Sequence, residues 1–291
     1  LPRRIAYSFA ALRCSGGICI RPQSFPKNFL RIHIIPPIMN RTYPSQHESY
    51  LQQLSRSASS ASAAPWDDTA CHRFFGPLHY EPNYAYPLIV WLHGSGDNES
   101  QLKRIIPLIS MRNYAAAAPR ATVTLNEDDP EHGGYGWSQT EDHILLAEQR
   151  IFDCIEAAQR RYHVASDRIF LAGVDGGGTM ALRTAMNHPH RFAGVLSLGG
   201  AFPVGHAPLF RLTESRSVPV FLAVGRDSER YPSSEVCANL RLLYAAGIEV
   251  MLRQYPLGDE VTTQMFEDMD RWIMDRICGS NNTSGDLAPS N

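Results

Sequence analysis

The segment RIFLAGVDGGGTMAL (168–182) constrains the fold more than any other part of the chain. Its apolar first half reads as a strand, its last residues read as the start of a helix, and four of the six residues at the junction, 173–178, are glycine. Glycine is used this densely where the backbone must turn sharply and lie directly against its neighbours. Such a strand needs a covered sheet and such a helix needs a sheet face to pack on, which points to an α/β architecture. Asp175 stands at the tip of the turn.

The flanking sequence repeats the same alternation. Apolar runs at 86–93 (YPLIVWLH), 121–125, 193–200, 218–225 and 249–256 read as strands. YPLIVWLH has almost no polar alternation, as expected of a strand buried on both faces. Helical spacing of apolar residues marks 143–162, the segment after Asp175, the region from Ser233 to Gly247, and 262–277. Alternating elements of this kind imply one mainly parallel central sheet with helices on both faces. A Ser/Ala-rich stretch at 54–65 closes a basic, low-complexity N-terminal extension over 1–65. The α/β domain is expected at 66–278, and a polar tail at 279–291.

The first 41 residues carry seven Arg and Lys and no acid, so the rest of the chain is more acidic than the formal net charge of −2 indicates. An acidic body argues against nucleic acid as a partner, since phosphate binding needs concentrated positive charge. The basic leader reads either as a targeting segment or as an upstream extension preceding Met39. No apolar run reaches the roughly 20 residues of a membrane span. The six cysteines show no CxxC spacing and read as reduced, mostly buried thiols of a cytoplasmic protein.

Four motifs in order resemble the carboxylesterase/phospholipase branch of the α/β-hydrolases. VWLHGSGDNE (90–99) is similar to the HG loop, LAGVDGGGTMAL (171–182) to the nucleophile elbow, GRDSERYP (225–232) to the acid loop, and YPLGDEVT (255–262) to the histidine loop. The resemblance spans about residues 72–278 and implies an α/β-hydrolase fold. It places the serine, acid and histidine of a triad at Asp175, Asp227 and Asp259, a degenerate set made only of aspartate. It also assigns the oxyanion donors to the backbone N–H groups of Ser95 and Gly176, while the loops that carry His93, Gly94, Trp137 and His206 are expected to wall the same pocket.

Acyl transfer needs an activatable hydroxyl and an imidazole to carry its proton, and carboxylates supply neither at neutral pH. The chain is therefore expected to be an impaired hydrolase that binds a small-molecule ligand or a protein partner at an acidic pocket, with Asp175, Asp227 and Asp259 converging beside Glu260. Such clustered acids share protons or recruit a positive ligand, an amine or a divalent cation; no other cofactor is implied. Each residue also has a plainer role: Asp227 and Asp259 as turn or cap residues, the glycines as packing positions. Two alternatives stay open. One is an active hydrolase using Asp175 as a covalent nucleophile with His206 or His132 as base, or with a metal. The other is a phosphate- or nucleotide-binding protein, weakened by the missing P-loop lysine.

Overall fold

The computed structural model describes the backbone of residues 30–34 and 66–69 and, with side chains, residues 71–125 and 134–279. His132 lies outside the described residues, as do the polar tail from residue 280 and most of the N-terminal stretch.

Nine strands form the main sheet: β1 (Leu30–Ile34), β2 (Trp66–Thr69), β3 (His72–Phe75), β4 (Tyr86–Leu92), β5 (Ala115–Pro119), β8 (Val164–Val174), β9 (Gly194–Leu198), β10 (Val220–Gly225) and β11 (Val250–Tyr255). Their order is β1-β11-β10-β9-β8-β4-β5-β3-β2. All neighbours from β1 to β5 pair in parallel, whereas β3 and β2 add an antiparallel edge. Two short strands, β6 (Val123–Thr124) and β7 (Tyr135–Gly136), form a separate ribbon. The helices are α1 (Leu102–Ile109), α2 (Glu141–Arg161), α3 (Gly176–Asn187), α4 (Leu212–Ser215), α5 (Ser233–Ala246) and α6 (Thr263–Gly279).

The side-chain pattern of β4 shows why the sheet is covered on both sides. Leu88, Val90 and Leu92 point into one core with α2, α3 and α5, while Ile89 and Trp91 point into the other with α1 and α6. β8 divides its residues in the same way, with Ile169 and Leu171 on the first face and Phe170 and Ala172 on the second. A strand with two apolar faces cannot sit at a solvated surface, so the unbroken run in the sequence becomes the sheet's centre. Helix α2 begins with Glu141 and Asp142 and ends with Arg160 and Arg161, charges that complement its dipole at both ends.

The structure corrects two expectations. The segment 121–125 does not join the main sheet: only Val123 and Thr124 are extended, in the small ribbon, and the sheet strand is the preceding Ala115–Pro119. Of the cysteines described, Cys154 alone is buried; Cys71, Cys237 and Cys278 are exposed. Leu30–Ile34, inside the basic N-terminal stretch, runs parallel to β11 with Leu30 opposite Val250. Among the described residues no helix is long and apolar enough to cross a membrane.

The turn from β8 into α3 rests on close backbone packing. A Cβ on Gly173 would lie 2.6 Å from the Gly177 carbonyl, and one on Gly177 would overlap the carbonyl oxygens of Leu92 and His93 at the end of β4. These neighbours are backbone atoms of buried elements and cannot yield as a flexible side chain would. Gly177→Ala is expected to lower stability by about 2–3 kcal/mol or to abolish soluble expression, read as a reduced denaturation midpoint. An unchanged midpoint would show that the contact can relax.

Candidate functional site

Asp175 occupies the tip of the turn with φ 52° and ψ −126°, a backbone conformation that a side-chain-bearing residue rarely adopts. The geometry is held from both sides. Its N–H donates to the Leu198 carbonyl at 2.9 Å, and its carbonyl accepts from Thr179 N–H at 3.1 Å in the first turn of α3. Asp175 is thus lifted to the carboxyl end of the central strands, beside the loops that follow β4, β9, β10 and β11.

A cavity of about 50 Å³ opens beside Asp175, lined by Ser228, Arg230, Asp259, Glu260 and apolar residues that include Met265. Space of this size takes a few waters or one small polar group. Arg230 donates an ion pair to Asp175, Nη1 to Oδ2 at 3.2 Å. Ser228, itself buried, donates its hydroxyl to Asp259 Oδ1 at 2.5 Å, and the Arg230 backbone N–H approaches the same oxygen at 3.2 Å. The Ser228 hydroxyl, aided by the nearby Arg230, holds the Asp259 carboxyl below its usual range. A carboxylate so stabilised is a weak proton acceptor at neutral pH.

Asp227 does not join this group. Its carboxylate turns outward into a two-pronged pair with Arg226, Nε to Oδ1 at 3.1 Å and Nη2 to Oδ2 at 2.9 Å, with 62% of the side chain exposed. These hydrogen bonds from Arg226 lower its pKa from the ordinary value. The expected convergence of three aspartates is therefore a convergence of two, Asp175 and Asp259, with Glu260 nearby. The side chain facing Asp259 from the loop after β10 is Ser228, one position further along the chain.

The positive partner foreseen for clustered acids is also part of the chain, because Arg230 already neutralises Asp175. Among the described residues no three His, Cys, Asp or Glu side chains are arranged to hold a metal ion.

The HG loop is rigidly built but differs from the expected pocket wall. His93 is wholly buried: Nδ1–H donates to the Gly94 carbonyl at 2.8 Å, and Nε2 accepts from Ala121 N–H at 3.0 Å. Burial lowers its pKa, so the ring is a neutral brace. Trp137 is buried as well and donates its indole N–H to the His93 carbonyl at 2.9 Å. Gly94 packs against Val174, where a Cβ would sit 3.3 Å from the valine side chain. Ser95 is exposed at the mouth, its hydroxyl 3.2 Å from where a Cβ of Gly176 would lie, so the two residues assigned as oxyanion donors are neighbours. His206 sits on an exposed loop with φ 49° and does not line the cavity. His93, Gly94, Trp137 and His206 are thus outside the lining of this cavity.

Sequence reasoning missed Ser228 and Arg230, although both lie in the quoted GRDSERYP motif. The available signal was the register of that loop: taking its aspartate as the acid overlooks the adjacent arginine fork that draws Asp227 outward. It also missed a buried pair that anchors the HG loop. Arg120 donates to both Glu99 carboxylate oxygens, at 2.8 and 2.6 Å, and Glu99 retains only 3% exposure. Burial pushes the Glu99 carboxyl upward, but the Arg120 hydrogen bonds and charge outweigh it and leave the pKa below the ordinary value.

A folded pKa below the unfolded one means that Glu99 stabilises the fold above the usual glutamate range, and that this contribution fades as pH falls through the lowered value. Arg120→Ala should cost about 3 kcal/mol at neutral pH by leaving a buried carboxylate without its partner. Desolvation, the largest influence on Glu99, is then opposed only by its backbone hydrogen bond and the Arg73 charge, so its pKa should rise and part of the loss should be regained on acidification. Urea melts across the acidic range would show this reversal; parallel pH profiles for wild type and variant would refute it.

A family model described as Phospholipase/Carboxylesterase matches residues 81–277. Carboxylesterase SOBER1 of Arabidopsis thaliana is 23% identical over 215 residues, covering 68% of this chain and 94% of that protein. Putative esterase NocK of Nocardia uniformis subsp. tsuyamanensis is 30% identical over 148 residues, which is 48% of this chain and 39% of that one. Among solved structures, a carboxylesterase from Mesorhizobium loti superposes with a TM-score of 0.59 at 20% identity, covering 72% of this chain and 99% of the other. The crystal structure of SOBER1 gives 0.56 at 20% identity, covering 66% and 100%. At these identities the structural likeness speaks for the fold.

Proposed function

The chain belongs to the phospholipase/carboxylesterase family of α/β-hydrolases, and from that premise we propose that it is a catalytically impaired member that binds a small amine at the elbow instead of cleaving esters. One observation carries this reading: the cavity beside the elbow is lined by an Asp175–Arg230 ion pair and a Ser228–Asp259 hydrogen bond, and by no histidine among the described residues.

Ester cleavage by this fold requires a nucleophile that gains reactivity as it loses a proton, and a base that passes the proton to the leaving group. Asp175 has no hydroxyl proton to lose and is tied to a guanidinium. Asp259 is a carboxylate stabilised by its hydroxyl donor, the reverse of what a general base needs. Were Asp175 to attack an ester carbon directly, the resulting adduct would need an activated water for release, and neither neighbour supplies one. The neighbouring Ser95 and Gly176 amides do not remedy this, since polarising a carbonyl is of little use without a proton carrier.

What the cavity retains is charge and shape. Three carboxylates, Asp175, Asp259 and Glu260, face one guanidinium, Arg230, so the lining keeps a negative excess. A compact ammonium group matches both that excess and the small volume, and it needs no metal-like ring of ligands.

Two measurements test the reading. Polyamines should raise the thermal midpoint in a way that Asp259→Asn weakens; no shift at millimolar concentration would remove the ligand assignment. Rebuilding the chemistry tests the impairment separately. The triple change Asp175→Ser, Ser228→Asp and Asp259→His should create hydrolysis of short aryl esters. The double change lacking Ser228→Asp should fall short by roughly ten-thousandfold, because the new histidine would lack an orienting acid. Equal activity in the two variants would mean that Asp227 can serve after all.

A further inference from the structure

The turn that displays Asp175 also sets it up for a reaction with its own backbone. We propose that Asp175–Gly176 is a self-cyclising site, at which the aspartate carboxyl condenses with the following amide nitrogen to a succinimide and the chain then reopens in part as isoaspartate.

Three features of the chain converge on this bond. Asp175–Gly176 is the one Asp-Gly pair in the sequence, which contains no Asn-Gly. Glycine leaves the attacked-from nitrogen unshielded, whereas any β-carbon would crowd the five-membered ring. The Gly176 nitrogen is the first of α3, so its hydrogen is not held by an intrahelical carbonyl.

The decisive feature is the backbone angle. At a tetrahedral α-carbon, Cβ is offset from the residue's own nitrogen by about 120° when viewed along the Cα–C bond. With ψ at −126°, this offset brings Cβ almost into eclipse with the Gly176 nitrogen. A five-membered ring through Cα, Cβ, Cγ, the Gly176 nitrogen and the Asp175 carbonyl carbon requires that near-eclipse. In helical or extended backbone the chain must first rotate about ψ to reach it. Here the hydrogen bonds from Asp175 N–H to Leu198 and from Thr179 to the Asp175 carbonyl already hold it, and only the side chain has to turn.

The chemistry balances without a co-reactant. The bond from Gly176 N to Asp175 Cγ forms, one Cγ–O bond of the carboxylic acid breaks, and the departing hydroxyl leaves as water with the amide proton. Water then opens the imide. Attack at Cγ restores aspartate; attack at the main-chain carbonyl gives isoaspartate, with an extra methylene in the backbone where α3 begins. The Arg230 ion pair, at 3.2 Å, must open before the carboxyl can turn toward the Gly176 nitrogen.

The test follows the full chain in mildly acidic buffer, with circular dichroism to verify that it stays folded. Peptide mapping scores the species one water lighter, and enzymatic isoaspartate methylation scores the opened product. A synthetic 168–183 peptide supplies the rate without the fold. The folded chain should convert several-fold faster than the peptide, with the product confined to residue 175. Gly176→Ala, whose methyl would meet only the movable Ser95 side chain, should slow it several-fold. Asp175→Asn should give the same isoaspartate faster, with loss of ammonia. A folded rate no higher than the peptide's, or isoaspartate arising mainly at another aspartate, overturns the proposal. Neither result bears on amine binding or on esterase activity, so this inference stands or falls separately from the proposed function.

Discussion

The molecule depends on the backbone contact between the start of α3 and the ends of β4 and β8. Gly173 and Gly177 let the helix begin against main-chain atoms of the sheet, closer than any side chain would allow. The helix then covers the first core through Met180, Leu182 and Met186, and β4 and β8 stay central with both faces buried. The same contact leaves the connecting residue a single course, outward and with positive φ. Asp175 is therefore a consequence of packing before it is a matter of chemistry, and its strain is balanced by the sheet and helix hydrogen bonds on either side.

At the mouth so created, local pairing decides the electrostatics. Clustered carboxylates in isolation would push at least one proton affinity upward. Here each finds a donor: Asp175 has Arg230, Asp259 has Ser228, and Glu260 has the Gly258 amide. The pKa of Asp259 accordingly lies below its ordinary value, not above it. The site is a set of satisfied ionic and hydrogen-bonded groups, the arrangement on which the proposed impairment rests.

Much of the architecture was legible because burial leaves a periodic trace. YPLIVWLH announces a strand with two apolar faces, and the amphipathic 143–162 and 262–277 segments announce helices that lie on a sheet. Ala115–Pro119 left no such trace. Its four alanines are fully buried and lie in the sheet between β4 and β3, but alanine carries none of the branched or aromatic character that marks a strand. The site was legible to the level of loops and less so to the level of side chains. The elbow and the Asp259 loop could be read from glycine placement. Which residue of Asp227-Ser228 faces inward could not, because it turns on Arg226, exposed and adjacent in sequence, capturing one of them. His93 and Trp137 misled for a related reason: a histidine and a tryptophan beside glycines suggest a ligand wall, and only the three-dimensional arrangement shows the His93 ring spent on Gly94 and Ala121 and the Trp137 indole on the His93 carbonyl.

The central claim is that no proton carrier among the described residues serves the elbow. Its most direct measurement is steady-state hydrolysis of a short-chain aryl ester by the wild-type protein beside Asp175→Ala, purified identically. The account predicts two equal rates, both at the level of the protein-free buffer. Turnover by the wild type that disappears in the alanine variant would contradict it and return Asp175 to the role of a working nucleophile.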